Sequence, residues 1–406
     1  MSTTPNEADL ASRFDFKKHI SFLLRCLRLL PQPYTSADDQ RMTLGYFAIS
    51  GLDLLGALEK IPSGEKAELI EWVYDQQCPT GGFRGSPSST SPSPSSPSQT
   101  QMGDGANVAM TYAALLILAV LQDDFSRLDR KALLQFVGAL QDKGGEGGFA
   151  AEEQGAAGGV VDRDPRFTYC AITICSMLGE WKGIDKRKAR QYLEGCQRYD
   201  GGFGASKVHE AHSGMTYCCI AALSLLAAED ESLRWERRDK ALAWLAHRQV
   251  APSQSEHTAT TTAQATQEAS GSNSEDDEEE TPELTGGFQG RPEKLPPDVC
   301  YSFWNGAALS LLGSHQLIDA QADAGYVLSA QSKVGGIAKI PDEHPDLLHT
   351  YLGLASLSLH QSGSKAVKSG DELGDSIEFG LNRLDAAYNC TLTAKEWIGK
   401  HLTRSL

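Results

Sequence analysis

Asp298-Val299-Cys300 and, one segment later, His349 offer a carboxylate, a thiol and an imidazole, a donor set suited to zinc. Each stands just ahead of a helical apolar run, Tyr301-Ser302-Phe303-Trp304 in one case and Thr350-Tyr351 in the other. If the two runs lie side by side, the three ligands converge from neighbouring helix starts and leave the fourth position of a tetrahedral ion open. Structural zinc sites fill that position with a fourth side chain, whereas catalytic sites leave it to water or substrate. A thiol entering it is deprotonated, and thiolate is the nucleophilic form, so the chemistry implied is S-alkylation. The plainer alternative is that Cys300 is a buried repeat cysteine and His349 a capping residue at a helix start.

Gly290-Arg291-Pro292-Glu293-Lys294 precedes the triplet, Tyr301 follows it, and Glu210-Ala211-His212-Ser213-Gly214 heads the preceding helical run. Two cations and two hydrogen-bond donors beside an open metal position suit a diphosphate, whose charge as a leaving group they would stabilise. Taken alone, the same cations would be a solvated basic surface.

Residues fifty positions apart can meet only if the chain repeats. A glutamine, a short turn and Gly-Gly-aromatic recur as Gln77…Gly81-Gly82-Phe83, Gln141…Gly147-Gly148-Phe149 and Gln197…Gly201-Gly202-Phe203. Gly286-Gly287-Phe288 and Gln331…Gly335-Gly336-Ile337 continue the series. Each is followed by a helical run opened by Thr111-Tyr112, Thr168-Tyr169, Thr216-Tyr217, Tyr301-Ser302 or Thr350-Tyr351, and Leu44 to Leu58 reads as a sixth. The glycine steps are 66, 54, 85 and 49 residues, and the long ones contain low-complexity insertions. These insertions, at 86–101 (Ser/Pro-rich) and 251–282 (polar, then acidic), cannot bury enough apolar surface to offset their ordering entropy and are expected to be disordered. The repeat reads as helix, glycine turn, helix, with a left-handed glycine ending one helix and an aromatic packing beyond it. Small residues such as Cys218-Cys219-Ile220-Ala221-Ala222 suit inner helices crowded in a barrel. The expected fold is all-α and one domain over 1–406. Six helical hairpins could close into a ring or stack as an open solenoid, and periodicity does not separate the two.

The net charge of −16 takes six negatives from the single run Glu275 to Glu280, and no basic surplus suggests nucleic acid. The N-terminus lacks a basic and apolar leader and no stretch of about twenty apolar residues occurs, which points to a soluble cytoplasmic protein. Nine cysteines without a C-x-x-C pair read as reduced thiols, most of them small hydrophobes in helices.

Taken together, the Gly-Gly-aromatic repeats, Gly290-Arg291-x-x-Lys294, Asp298-x-Cys300-Tyr301-Ser302-Phe303-Trp304 and Asp346-x-Leu348-His349-Thr350-Tyr351 resemble the β subunits of CaaX protein prenyltransferases, over about Phe16 to Leu359. The resemblance implies an α-α toroid, a zinc ion on Asp298, Cys300 and His349, and a separate α subunit in an obligate heterodimer. It places His212, Arg291, Lys294 and Tyr301 on an isoprenoid diphosphate, and Thr43, Tyr169, Cys170 and Trp304 along the isoprenoid wall. Arg166 matches the residue that holds the peptide's C-terminal carboxylate through water, with Asp162 orienting it. Thr43, Leu348 and Lys339 are similar to the type I geranylgeranyl branch: the first two enlarge the lipid pocket, and the lysine takes the place of an aspartate that helps hold magnesium, so magnesium is not expected to be required. That branch acts on CaaX C-termini with X preferably Leu, as in Rho-type small GTPases. Two positions depart from the family: Leu295-Pro296-Pro297 puts three residues where it has two, and Asn107 stands where the branch tends to have histidine. Farnesyl transfer and a catalytically inactive toroidal scaffold are the alternatives. A terpene cyclase is disfavoured, since no Asp-x-Asp-Asp motif stands in a helical setting.

Overall fold

In a computed structural model of the chain, residues 7–89, 105–153, 163–251, 286–292, 296–363 and 377–403 are described. Residues 90–101 and 252–282 of the two insertions lie outside them. Helix α1 (Glu7–Arg13) precedes three helical hairpins, α2 (Phe16–Arg28) with α3 (Arg41–Leu54), α4 (Ser63–Tyr74) with α5 (Val108–Val120), and α6 (Arg130–Leu140) with α7 (Pro165–Leu178). Three more follow, α8 (Lys186–Gly195) with α9 (Ser213–Glu229), α10 (Arg238–Ala246) with α11 (Val299–Leu311), and α12 (Ala320–Ser329) with α13 (Leu347–Gly363), before α14 (Leu392–His401). The second helix of each hairpin packs on those of its neighbours, and α13 packs on α3, so the six hairpins close into a ring. The open solenoid is thereby excluded.

Inner and outer helices differ as their surroundings require. In α5 every residue from Thr111 to Val120 is buried, the mark of a helix enclosed on all sides. The outer α8 buries only Ala189, Tyr192 and Leu193 and turns its basic residues outward.

The glycine pair does something other than cap a helix. Helices α4 and α6 end at Tyr74 and Leu140, well before Gly81 and Gly147. The first glycine of each pair has φ between 90° and 106°. There it is pressed against the next outer helix, and a Cβ would lie 2.1 Å from a backbone carbon of Ala132 at Gly81 and 2.1 Å from Lys18 O at Gly335. Both the positive φ and the close approach exclude other residues. The second glycine carries an aromatic ring of the same neighbour, Phe136 on Gly82, Tyr192 on Gly148, Trp244 on Gly202, Tyr326 on Gly287 and Phe22 on Gly336.

From Gln141 onward the repeated glutamine bolts one hairpin to the next. Gln141 Nε2 donates to Gly147 O and Asp185 O, and its Oε1 accepts from Asp185 N at the start of α8. Gln197 and Gln249 reach Arg237 O and Asp319 O ahead of α10 and α12 in the same way. Gln331 reaches Arg13 O and accepts from Asp15 N and from buried His19, so the last hairpin is joined to the first.

One end of the ring is filled by the C-terminal segment. Its antiparallel strands β3 (Leu384–Asp385) and β4 (Cys390–Thr391) pair as Leu384 with Thr391, and a turn between them enters the ring. Tyr217, Tyr169 and Tyr112 donate in sequence to the carbonyls of Ala386, Ala387 and Tyr388, and Tyr46 and Tyr351 both donate to Asn389 O. Asn382 Nδ2 donates to Asp53 O near the end of α3, and Ser358 Oγ, late in α13, donates to Asn382 O, so the segment enters from the C-terminal ends of the inner helices. The N-terminal ends form the other rim.

Candidate metal centre and the rim around it

In the inner helices after α3, a side chain four residues before the Thr, or Ser302, caps the helix: Asn107, Asp164, His212 and Asp298 accept from N–H groups of the first turns of α5, α7, α9 and α11. Asp346 does the same for α13, accepting from His349 N at 2.9 Å. Since the inner helices run in one direction, these five residues share the rim, where the positive ends of the helices favour anions.

Asp298, Cys300 and His349 meet on this rim. One ligand atom from each lies within 4.8 Å of the others, a grouping the fold produces without any ion. His349 Nε2 is 3.3 Å from Asp298 Oδ1, close to the separation of about 3.5 Å between two ligands on a tetrahedral ion with bonds of about 2.0–2.3 Å. His349 Nδ1 is 2.6 Å from Asp346 Oδ2, which fixes the ring and leaves Nε2 facing inward. Asp346 is held in turn by the short antiparallel pairing of β1 (Ile337–Ala338) with β2 (Pro345–Asp346). Burial works against a charged His349, but its bonds to Asp298 and Asp346 prevail and lift it to about 9. Burial and the Asp298 charge push the Cys300 thiol well up. Two carboxylates against one imidazole favour positive charge at this point, and the O, S and N donors of Asp298, Cys300 and His349 fit a zinc-type metal.

Beside this group is a cavity of about 160 Å³ lined by Gly290, Arg291, Asp298, Tyr301 and Lys339. The Tyr301 ring lies on Gly290, where a Cβ would come within 2.2 Å of it. Arg291 faces Glu210 at 3.5 Å. His212 Nδ1 accepts from Gly214 N, so the neutral ring carries its proton on Nε2, 3.2 Å from the Tyr301 hydroxyl. Burial first, then Arg291 and Arg166, push His212 down to about 4.

The chain matches the family described as prenyltransferase alpha-alpha toroid domain over residues 14–390. It is 36% identical to a geranylgeranyl transferase type-1 subunit beta of Arabidopsis thaliana over 87% of each chain. To the subunit of the same name in Dictyostelium discoideum it is 32% identical, over 86% of this chain and 92% of that one. The solved structure of Candida albicans protein geranylgeranyltransferase-I complexed with GGPP superposes with a TM-score of 0.75 at 25% identity, covering 96% of this chain and 100% of the matched one. The chain belongs to the prenyltransferase α-α toroid family, among its type-1 geranylgeranyl transferase β subunits.

On this toroid the other residues singled out by sequence divide into three groups. Arg166 is gripped by Asp164 through Nε at 2.9 Å and Nη2 at 2.8 Å. Thr43 opens α3 with its hydroxyl 3.3 Å from Met110 Sδ, and Trp304 packs on Tyr217 with ring centres 5.1 Å apart. Leu348 is half-buried beside His349, while Cys170 and Tyr169 are buried, the latter with its hydroxyl taken up in the tyrosine layer. Lys294 and Asp162 lie outside the described residues. The sequence gives no signal for Asp164, and it includes Asp346 only as part of a motif with no role of its own, although both occupy the capping position that also contains His212 and Asp298.

The low pKa of His212 has a measurable consequence. Its folded value lies below the ordinary 6.5, so its contribution to stability is present above 6.5 and is lost as pH falls toward 4. Between pH 7 and 4.5 the parent protein should lose more stability in denaturant titrations than His212→Gln, by on the order of 2 kcal/mol after allowing for solvent screening. Equal losses would mean that the folded protein protonates His212 freely.

Proposed function

We propose that the chain is the catalytic β subunit of a type I protein geranylgeranyltransferase, moving geranylgeranyl from its diphosphate to the cysteine of C-terminal CaaX sequences with X preferably Leu, as in Rho-type small GTPases. The observation that carries the reading is the meeting of Asp298, Cys300 and His349 on the rim that also holds His212, Arg291, Tyr301 and Lys339. A scaffold needs neither group. Zinc on the three ligands would supply the electrophile that keeps a substrate thiol ionised at neutral pH.

The residues of the chain do the rest. Asp346 orients His349, and Asp298 holds the first turn of α11 through Cys300 N at 2.8 Å. The substrate thiol gives up its proton to solvent and its sulfur forms a bond to C1 of the isoprenoid, while the C1–O bond breaks and diphosphate leaves with the electron pair. Arg291, Lys339 and the Lys294 expected from sequence stabilise that charge, with hydrogen bonds from Tyr301 and neutral His212. Thr43, Tyr169, Cys170, Trp304 and Leu348 form the lipid wall, and Arg166, held by Asp164, receives the peptide carboxylate, with Asp162 as the further orienting residue expected from sequence. An α subunit completes an obligate heterodimer in the cytoplasm, and among the described residues no helix is long and apolar enough to cross a membrane.

Co-expression with candidate α subunits and transfer assays on peptides ending in Leu, Phe, Met and Ser test this directly. Transfer should be fastest with geranylgeranyl diphosphate and a Leu ending, and should proceed without magnesium because Lys339 supplies a fixed positive charge. Preference for farnesyl diphosphate with Met or Ser endings would establish the farnesyl alternative, and purified protein devoid of zinc would leave the scaffold.

A further inference from the structure

At the junction of the two hairpins that supply the metal ligands, the repeat pattern is broken by buried polar residues. Superposing the first-glycine contacts places Asp323 of α12, one residue beyond Ala322, in register with Leu133, Ala189 and Ala241 of α6, α8 and α10. In α13, Ser356 occupies the position of Ile117, Ile174, Ala222 and Ala308, and His360 that of Leu121, Leu178, Leu226 and Leu312. Apolar residues therefore serve in those sister helices, while in α2 the register of Asp323, one residue beyond Lys18, is taken by buried His19, whose bonds go to Gln331 and Gly336 where the ring closes.

These three residues form one cluster. Asp323 is completely buried and accepts from Ser302 Oγ at 2.6 Å, from Ser356 Oγ at 3.1 Å and from His360 Nε2 at 2.8 Å. Ser302 also behaves differently from its counterparts. Thr111, Thr168, Thr216 and Thr350 accept from N–H groups of their own glycine turns, at Phe83, Phe149, Phe203 and Ile337, whereas Ser302 donates to Asp323. The carboxylate thus ties α11, two residues beyond Cys300, to α13, seven residues beyond His349.

Stability does not account for the cluster. A buried acid–imidazole pair carries a desolvation cost that well-packed apolar residues avoid. His360 Nδ1 is buried with no protein partner, beside the His315 ring 5.3 Å away, so the hydrogen-bonding capacity is not even fully used. Directional bonds do, however, fix the relative height of two helices, which leucine and alanine contacts do not, and a metal centre shared between those helices needs its ligands placed to within a fraction of an ångström.

We infer that Asp323, with Ser302, Ser356 and His360, is a positioning group for the metal centre: it locks α11 against α13 in the register at which Cys300 and His349 share one ion. The inference rests on reading that centre as a zinc site. Its role would be passed through the helices, without contact with substrate or metal.

The test uses the heterodimer, stripped of metal and titrated with zinc against a fluorescent chelator, with thermal unfolding of the metal-free form recorded in parallel. A combined Asp323→Ala, Ser356→Ala, His360→Leu variant installs residues found in sister repeats. It should unfold at a temperature no lower than the parent yet bind zinc at least tenfold more weakly. Asp323→Asn, which preserves size, should weaken zinc binding in the same direction and serves if the triple variant does not fold. Thr173→Ala, which removes a buried hydroxyl bonded to Tyr169 O in α7, should leave zinc affinity unchanged. Parent-like affinity in the Asp323 variants, or an equal loss in Thr173→Ala, would overturn the inference. A parent protein that binds no zinc would instead defeat the metal-centre reading itself.

Discussion

Cys300→Ser is expected to lower zinc affinity by roughly 10²–10³-fold and to abolish prenyl transfer at ordinary zinc concentrations. Structural zinc sites bind with about 10–16 kcal/mol spread over four ligands, so loss of the thiolate costs about 2.5–4 kcal/mol. The substitution is nearly isosteric and Cys300 is almost fully buried, so the fold should survive. Asp298 needs a subtler variant because it has two duties: its Oδ1 accepts from Cys300 N at 2.8 Å and faces His349 Nε2 at 3.3 Å. Asp298→Ala would remove a helix cap, costing about 1 kcal/mol, as well as a ligand. Asp298→Asn keeps the capping oxygen and removes only the charge, so a loss of zinc in that variant belongs to the metal centre. Chelator competition and transfer assays on the heterodimer check both variants, and undiminished transfer by metal-free Cys300→Ser would end the zinc assignment.

The fold was legible where the sequence repeats and illegible where one repeat meets another. Period and composition identify six hairpins, including α3, which lacks a glycine pair before it. They do not reveal that Gln331 joins Arg13 and His19 across more than 300 residues, because the same glutamine in an internal repeat makes the same local pattern. The glycine pairs were recognisable, but their reason was not: a capping glycine and a glycine pressed on a neighbouring helix are alike in sequence, and only the contacts with Ala132 or Lys18 distinguish them.

The site divides along the same line. Asp298, Cys300 and His349 stand out because a carboxylate, a thiol and an imidazole at helix starts suggest a metal. Asp164 and Asp346 do not, since an aspartate before a helix is ordinarily just a cap. Both are caps and also hold side chains that the sequence singled out: Asp164 grips Arg166 with both carboxylate oxygens, and Asp346 holds His349 with the oxygen not used in capping. Asp323 and His360 become conspicuous only once the helices are in register, His360 against leucines and Asp323 against Leu133, Ala189 and Ala241.

The register of α3 underlies the other large effect expected. Thr43→Trp should reduce the ratio of kcat/KM for geranylgeranyl diphosphate to that for farnesyl diphosphate by about 10²–10³-fold. Thr43 lies in the first turn of α3 and faces Met110 of α5 at 3.3 Å, so an indole there would occupy space between the two inner helices. The fourth isoprene unit adds five carbons, and at ~0.8 kcal/mol per buried carbon their burial is worth up to about 4 kcal/mol. An indole that excludes this unit removes that term for the longer lipid alone. Overpacking could also strain α3 and cost about 1–3 kcal/mol of stability, but that penalty would fall on both lipids and cancel in the ratio. Leu348→Tyr, beside His349 on α13, should move the ratio in the same direction from another side. Parallel kinetics with both diphosphates and one peptide decide the matter: a ratio unchanged in Thr43→Trp, with both rates reduced alike, would place the lipid terminus away from α3 and leave its length to be measured elsewhere in the toroid.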